Sequence, residues 1–198
     1  LAADESTGTM TKRLDAINIP STSENRLLFR ETLFASESMK TCIGGVILYD
    51  ETLRQTTITD GTPFAKYLSD KGVLPGIKVD MGAKPLALHS NEKVTEGLDG
   101  LRERLAEYYE LGTRFAKWRA VITIGDSIPT DACIRANAHA LARYATLCQE
   151  AGIVPIVEPE VLMDGDHTIE TCQDVSEKTF RRVFAELETQ DVYLEGII

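Results

Sequence analysis

The sequence predicts an α/β fold in which a parallel β-sheet, covered by helices, closes as a (β/α)8 TIM barrel. Segments rich in β-branched and aromatic residues alternate strictly with segments of helical spacing along the 198 residues, an order that is typical of parallel sheets. In addition, charged residues lie within or directly after several predicted strands, where a barrel places its functional groups. These two observations favour a barrel with about six strands present.

An open, doubly wound sheet is the competing closure. Such a sheet binds nucleotides at glycines that follow its first strand, but here that strand is followed by Ser6-Thr7-Gly8-Thr9, which is not a GxGxxG motif. A complete barrel takes about 250 residues, and this sequence ends near its sixth strand. We therefore expect residues 1–198 to form a single partial barrel domain that lacks an N-terminal extension and the last strands and helices.

Turn residues and apolar periodicity divide the chain into strands and helices. The predicted strands lie at residues 1–3, 42–49, 76–80, 115–121, 153–160 and 192–198. The predicted helices lie at about residues 21–38, 98–112, 129–152 and 169–187. Residues 82–95 contain a proline and few apolar side chains, which predicts a long loop with a functional role.

The predicted strand Phe115–Val121 contains two cations, Lys117 and Arg119. Residues two apart in a strand point to the same face, so both cations would lie on one side of the sheet. On an ordinary two-sided sheet that side is simply the solvated one. However, other strands also end in charged residues: Asp4 and Glu5, Lys78 and Asp80, and Glu158 and Glu160. This pattern favours a ring of strand ends around one polar site.

Composition excludes several classes of function. The net charge of −10 argues against a general nucleic-acid or anionic-membrane binder. No apolar run approaches the 18 residues of a membrane span, and no secretory signal is visible. The four cysteines have no CxxC spacing, which favours reduced, mostly buried thiols and a cytoplasmic location. The three histidines match no zinc spacing, so we expect neither a metal nor another cofactor.

Two lysines and several carboxylates in one cavity favour chemistry on anionic carbonyl compounds. A lysine amine becomes nucleophilic when its pKa is lowered, and it then forms a Schiff base with a ketone. A nearby carboxylate such as Glu158 moves the protons that this chemistry requires. The alternative is that Lys78, Lys117, Glu158 and Asp4 form a structural ion-pair network inside a barrel.

Six segments of the sequence resemble class I fructose-bisphosphate aldolases, in the order and at the spacing of that family. They are LAADESTG (1–8), CIGGVIL (42–48), GIKVD (76–80), GLDGL (97–101), FAKWR (115–119) and IVPIVEPE (153–160). The resemblance implies a metal-independent lyase on a TIM barrel. It would cleave fructose 1,6-bisphosphate reversibly to two triose phosphates through a lysine Schiff base, and would form a homotetramer.

The resemblance also implies catalytic roles at matching positions. Asp4 would interact with the substrate hydroxyl near the scissile bond, and Lys78 would organise the charge of the site. Lys117 would support proton transfers and lower the pKa of the Schiff-base lysine. Glu158 resembles the acid/base for Schiff-base formation, and Glu160 the neighbouring carboxylate that pairs with the lysines.

A second set of matching positions would bind the distal phosphate of the sugar. It comprises Ser6, Thr9, Lys12, Arg13 and Arg119. From the residues of this stretch alone, capping of a helix N-terminus by Ser6 or Thr9 is the favoured interpretation.

The Schiff-base lysine of the family is expected just after Ile198, so it is absent from these residues. A non-catalytic phosphosugar-binding or scaffold protein on an aldolase-like barrel is therefore one rival interpretation, and a metal-dependent lyase is another.

Overall fold

The computed structural model describes residues 1–198. The strands are β1 (Ala2–Ala3), β2 (Gly45–Leu48), β3 (Leu74–Lys78), β4 (Ala83–Pro85), β5 (Lys93–Thr95), β6 (Phe115–Ile122) and β7 (Val154–Val161). The helices are α1 (Thr7–Asp15), α2 (Ser23–Phe34), α3 (Met39–Cys42), α4 (Asp50–Leu53), α5 (Phe64–Asp70), α6 (Leu101–Glu110), α7 (Asp131–Glu150) and α8 (Ile169–Thr189). A 3-10 helix at Leu194–Gly196 follows α8. Helices separate the strands of the parallel sheet, as the sequence predicts, but the alternation is not strict, because three helices follow β1 and the strands β3, β4 and β5 follow one another without a helix between them.

The main sheet has the strand order β1-β2-β3-β6-β7, and β4 and β5 form a separate antiparallel pair. The chain divides into two compact units. Unit 1 comprises residues 1–78 and 107–116, and unit 2 comprises residues 79–106 and 117–198. Helix α6 and strand β6 each begin in one unit and end in the other.

In unit 1, the parallel strands β1, β2 and β3 lie side by side. The first residues of β6 continue this sheet, because Arg114 N donates to the Pro75 carbonyl at 2.9 Å. The Phe115 ring lies directly over Gly76, where a β-carbon would come within 2.4 Å of it. Glycine at position 76 is therefore a packing requirement of the sheet.

Burial alternates along the part of β6 that belongs to unit 2. Trp118 and Ala120 are fully buried, whereas Lys117 and Arg119 lie on the opposite face. The Trp118 ring packs against Tyr144 of α7, with 5.5 Å between ring centroids. This contact fixes the apolar side of β6 against a helix and leaves the charged side for other contacts.

The helices α1, α3, α4 and α5 lie outside the predicted helices, and two predicted segments have a different secondary structure. Residues 82–95, predicted as a loop, contain the antiparallel pair β4–β5. Each of these strands has only three residues, too few for a detectable alternation of apolar side chains. Residues 192–198, predicted as a strand, contain the 3-10 helix, and only Ile198 exchanges backbone hydrogen bonds with Pro155 and Val157 of β7.

The four cysteines are free thiols. Cys133 and Cys148 are buried, whereas Cys42 is exposed and Cys172 is half-buried. Burial raises the pKa of Cys133 to about 11, so this thiol stays protonated at neutral pH. None of the helices combines the length and the apolar character needed to cross a membrane.

The contact between Gly76 and Phe115 leads to a stability prediction. Gly76→Ala should lower the free energy of unfolding by about 1–3 kcal/mol, because the added methyl group overlaps the ring. Gly44→Ala is the matched control, since nothing lies within 4 Å of a β-carbon there. Urea denaturation of the two variants, and of Gly76→Ala combined with Phe115→Leu, provides the measurement. Equal stability of the two single variants would show that the overlap costs nothing.

Candidate active site

The best-defined charged cluster lies on β6 and β7 within unit 2. We call it the β6–β7 cluster, and it comprises Asp80, Lys117, Arg119, Glu158 and Glu160. The two cations are two residues apart on β6, and the two glutamates are two residues apart on β7. Because side chains alternate along a strand, each pair projects to a single face. Cations and carboxylates of adjacent strands are thereby brought together.

Lys117 and Glu158 form the less exposed ion pair of the cluster. Lys117 Nζ lies 3.3 Å from Glu158 Oε2, and the two side chains are 16% and 31% exposed. Glu158 Oε2 is itself buried and has no aligned hydrogen-bond donor, so the contact is electrostatic rather than a directed hydrogen bond. An amine and a carboxylate at this separation can exchange a proton with a substrate bound beside them.

Arg119 and Glu160 form the second ion pair, in which Arg119 Nε donates to Glu160 Oε2. This hydrogen bond raises the pKa of Arg119, which therefore remains a cation. The pairing corrects one expectation from the sequence. Glu160 was expected to pair with the lysines, but it contacts Arg119, whereas Glu158 contacts Lys117. An anion bound by Arg119 would have to share the guanidinium with Glu160.

Asp80, one of the charged residues predicted at strand ends, is the member of the cluster to which no catalytic or binding role was assigned from the sequence. Its side chain is buried. Its Oδ1 accepts a hydrogen bond from Gly82 N at 3.0 Å, and its Oδ2 accepts a longer one from Arg119 N at 3.4 Å. Asp80 thus fixes the backbone of β6 between the two cations. Its place at the end of the predicted strand 76–80, two residues after Lys78, was the available signal.

A second cluster follows β1 in unit 1 and comprises Ser6, Thr9, Lys12 and Arg13. We call it the N-terminal cluster. Ser6 caps α1, since its hydroxyl accepts from Thr9 N at 3.4 Å and contacts Thr9 Oγ1 at 3.2 Å. The capping alternative for Ser6 is therefore confirmed. Lys12 and Arg13 lie in the last turn of the same helix and are exposed. Both hydroxyls of this cluster are thus engaged in the cap, whereas Lys12 and Arg13 are exposed cations that can attract an anion.

Glu5 connects the N-terminal cluster to the interior of unit 1. Its carboxylate pairs with the exposed Arg13 through Oε1 and with the buried Arg30 through Oε2. Glu5 was predicted among the charged strand ends, but its pairing with Arg30 was not, because the partners are 25 residues apart along the chain. Asp4 precedes Glu5, and Lys78 ends β3; both side chains are half-buried.

Comparisons with known proteins show the family of the chain. The family model for class I fructose-bisphosphate aldolase, described as glycolytic, matches residues 1–198. The fold and the lysine–carboxylate pair are typical of barrel enzymes that act on carbonyl compounds. The chain belongs to the class I fructose-bisphosphate aldolase family.

Two curated relatives show the extent of the similarity. A probable fructose-bisphosphate aldolase class 1 from Xanthomonas campestris pv. campestris is 61% identical over 198 residues, which are 100% of this chain and 59% of the relative. Fructose-bisphosphate aldolase C of Carassius auratus is 54% identical over 199 residues, which are 100% of this chain and 54% of the relative. The chain thus spans a little over half the length of these relatives.

A solved structure confirms the fold class. The fructose-bisphosphate aldolase of Plasmodium falciparum, crystallised as a ternary complex with TRAP and a small-molecule inhibitor, superposes with a TM-score of 0.96 at 47% identity. The match covers 100% of this chain and 57% of that one. The prediction of a partial (β/α)8 barrel is therefore confirmed.

The hydrogen bonds of Asp80 generate a prediction about the β6–β7 cluster. Asp80→Asn replaces an acceptor with an amide donor that opposes a backbone N–H, and it should lower the free energy of unfolding by about 1–3 kcal/mol. Hydrogen exchange at Gly82 or Arg119 should accelerate, as measured by NMR. Asp131→Asn is the control in the same unit, because Asp131 forms an exposed ion pair with Lys178 and should cost less than about 1 kcal/mol. Equal destabilisation by both variants, without faster exchange, would contradict the anchoring role of Asp80.

Proposed function

We propose that the whole protein is a class I fructose-bisphosphate aldolase. It cleaves fructose 1,6-bisphosphate reversibly to dihydroxyacetone phosphate and glyceraldehyde 3-phosphate through a lysine Schiff base, and it serves glycolysis and gluconeogenesis. The observation that supports this proposal most strongly is the contact between Lys117 and Glu158 in a chain that belongs to this family over its full length.

The chemistry begins when a lysine amine attacks the substrate ketone, loses its proton and expels the carbonyl oxygen as water. The resulting iminium withdraws electrons, so the adjacent carbon–carbon bond can break when a base removes the proton of the neighbouring hydroxyl. Glu158 is proposed as the acid/base of Schiff-base formation. Lys117, at 3.3 Å from it, supports the proton transfers and keeps positive charge near the nucleophile.

The remaining assignments follow the family resemblance. Asp4 is proposed to contact the hydroxyl near the scissile bond, and Lys78 to organise the charge of the site. Glu160 is proposed to hold Arg119, with which it pairs. The distal phosphate is proposed to bind the residues of the second predicted set, namely Ser6, Thr9, Lys12, Arg13 and Arg119. The nucleophilic lysine is expected just after Ile198.

The proposal extends to the setting of the enzyme. We expect a homotetramer in the cytoplasm, by resemblance to the family and from the composition of the chain. No cofactor or metal is assigned a role in the proposed reaction. Sugar phosphates are the expected ligands, and the acidic charge of −10 opposes binding to nucleic acid.

Borohydride trapping tests the proposed function. The whole protein, incubated with dihydroxyacetone phosphate and then reduced, should gain one adduct on a single lysine in the peptide that follows Ile198. Glycerol 3-phosphate, which has no carbonyl group, is the control and should give no adduct. Intact-mass and peptide mass spectrometry provide the measurement, which is repeated with EDTA.

Each result of the trapping experiment has a defined meaning. An adduct formed equally well with EDTA supports the Schiff-base mechanism and opposes a metal-dependent lyase. A protein that binds the phosphosugar but forms no adduct would contradict the proposed activity and favour the phosphosugar-binding alternative.

A further inference from the structure

Arg30 is a buried cation that the proposed mechanism does not use. It lies on the face of α2 that also contains Phe34, four residues further along, and it is 1% exposed. Its Nη1 donates to Thr52 Oγ1 at 2.6 Å. Its Nη2 donates to the Glu5 carbonyl at 2.9 Å and to Glu5 Oε2 at 3.0 Å. Two of its three contacts are therefore with the residue that follows Asp4.

A guanidinium in this position is costly to bury, because it loses its hydration. The cost is incompletely offset, since Arg30 Nε is buried without a hydrogen-bond partner. An apolar side chain of similar volume would fill the same space without this penalty. What Arg30 provides, and an apolar side chain could not, is its set of hydrogen bonds to Glu5.

Exposure increases step by step from Arg30 towards solvent. We call the three residues Arg30, Glu5 and Arg13 the Glu5 bridge. Their side chains are 1%, 13% and 58% exposed, respectively. Arg13 is therefore the member most accessible to a dissolved ligand, although it pairs with Glu5, and it belongs to the set proposed to bind the distal phosphate. Arg30 can influence that phosphate only through Glu5.

Charge gives the physical reason for such an influence. The Glu5 bridge contains two guanidiniums and one carboxylate, so it has a net positive charge. Without Arg30, the carboxylate would neutralise Arg13 alone and would no longer be anchored to α2. A phosphate group would then compete with Glu5 for Arg13, and the position of Arg13 would be less well fixed.

We propose that Arg30 is a positioning residue that acts through Glu5 to set the preference for a substrate with a second, distal phosphate. This inference rests on the proposed aldolase function and deepens it. It concerns selectivity between a ketose bisphosphate and the corresponding 1-phosphate, which lacks the group that Arg13 would bind.

Steady-state kinetics of the whole protein with fructose 1,6-bisphosphate and fructose 1-phosphate test the proposal. Arg30→Met should raise KM for the bisphosphate roughly tenfold, the effect of one lost charged hydrogen bond, with kcat unchanged. For the 1-phosphate, kcat/KM should stay within about twofold of wild type. In an Arg13→Met background, Arg30→Met should cause no further change in the ratio of the two kcat/KM values, since it acts through Arg13.

Arg26→Met is the matched control. Arg26 lies one turn earlier on α2 and also pairs with a carboxylate, Glu51, at 2.5 Å, but it has no contact with Glu5. Arg26→Met should leave the ratio of the two kcat/KM values unchanged. If Arg30→Met does not fold, Arg30→Lys replaces it in the test. A lysine keeps the charge but lacks the fork that reaches Thr52 and Glu5 together, so it should shift the ratio in the same direction.

The outcomes separate the inference from the proposed function. If the wild type is active and the Arg30 variants lower kcat/KM equally for both substrates, the inference alone is overturned, because Arg30 is then structural. The inference is also overturned if Arg30→Met changes the ratio of the two kcat/KM values as much in the Arg13→Met background as in the wild type. A wild type that cleaves neither ketose would overturn the proposed function and the inference with it.

Discussion

The alternation of side chains along β6 is the constraint on which the fold and the candidate site both depend. Trp118 is buried against α7, so Lys117 and Arg119 must lie on the opposite face. On β7 the same alternation places Glu158 and Glu160 on one face, where each carboxylate meets one cation. A slip of one residue would bury both cations and expose the tryptophan. Apolar packing on one side of the sheet therefore fixes the ion pairs on the other.

Burial also determines which charged groups are held and which are available. Asp80 is buried and is bound by two backbone N–H groups, so it fixes the geometry of β6. Arg30 is buried and fixes Glu5, whereas Arg13 at the other end of that contact is exposed. In both units, a buried charge orients the groups that face solvent. Such support is what a site needs in order to hold its reactive groups in a productive geometry.

The sequence was sufficient to predict the alternating α/β fold and the charged ends of its strands, because both are periodic or local signals. It was insufficient where structure depends on distant partners. Residues 82–95 form a hairpin whose strands are three residues long. Arg30 was not predicted because its partner is 25 residues away, and the pairing of Glu160 with Arg119 depends on the register between strands.

The central claim is that the charged face of β6 performs chemistry and is not merely a structural ion-pair network. The most direct test compares single-turnover cleavage of fructose 1,6-bisphosphate with thermal stability for Lys117→Met in the whole protein. We expect the rate to fall by at least about 100-fold, while the free energy of unfolding falls by about 1–3 kcal/mol, because the partly buried Glu158 carboxylate loses its cation. Arg102→Met, which breaks the exposed pair with Glu150 in the same unit, should retain the rate. A Lys117→Met protein that is destabilised but cleaves at the wild-type rate per folded molecule would contradict the claim.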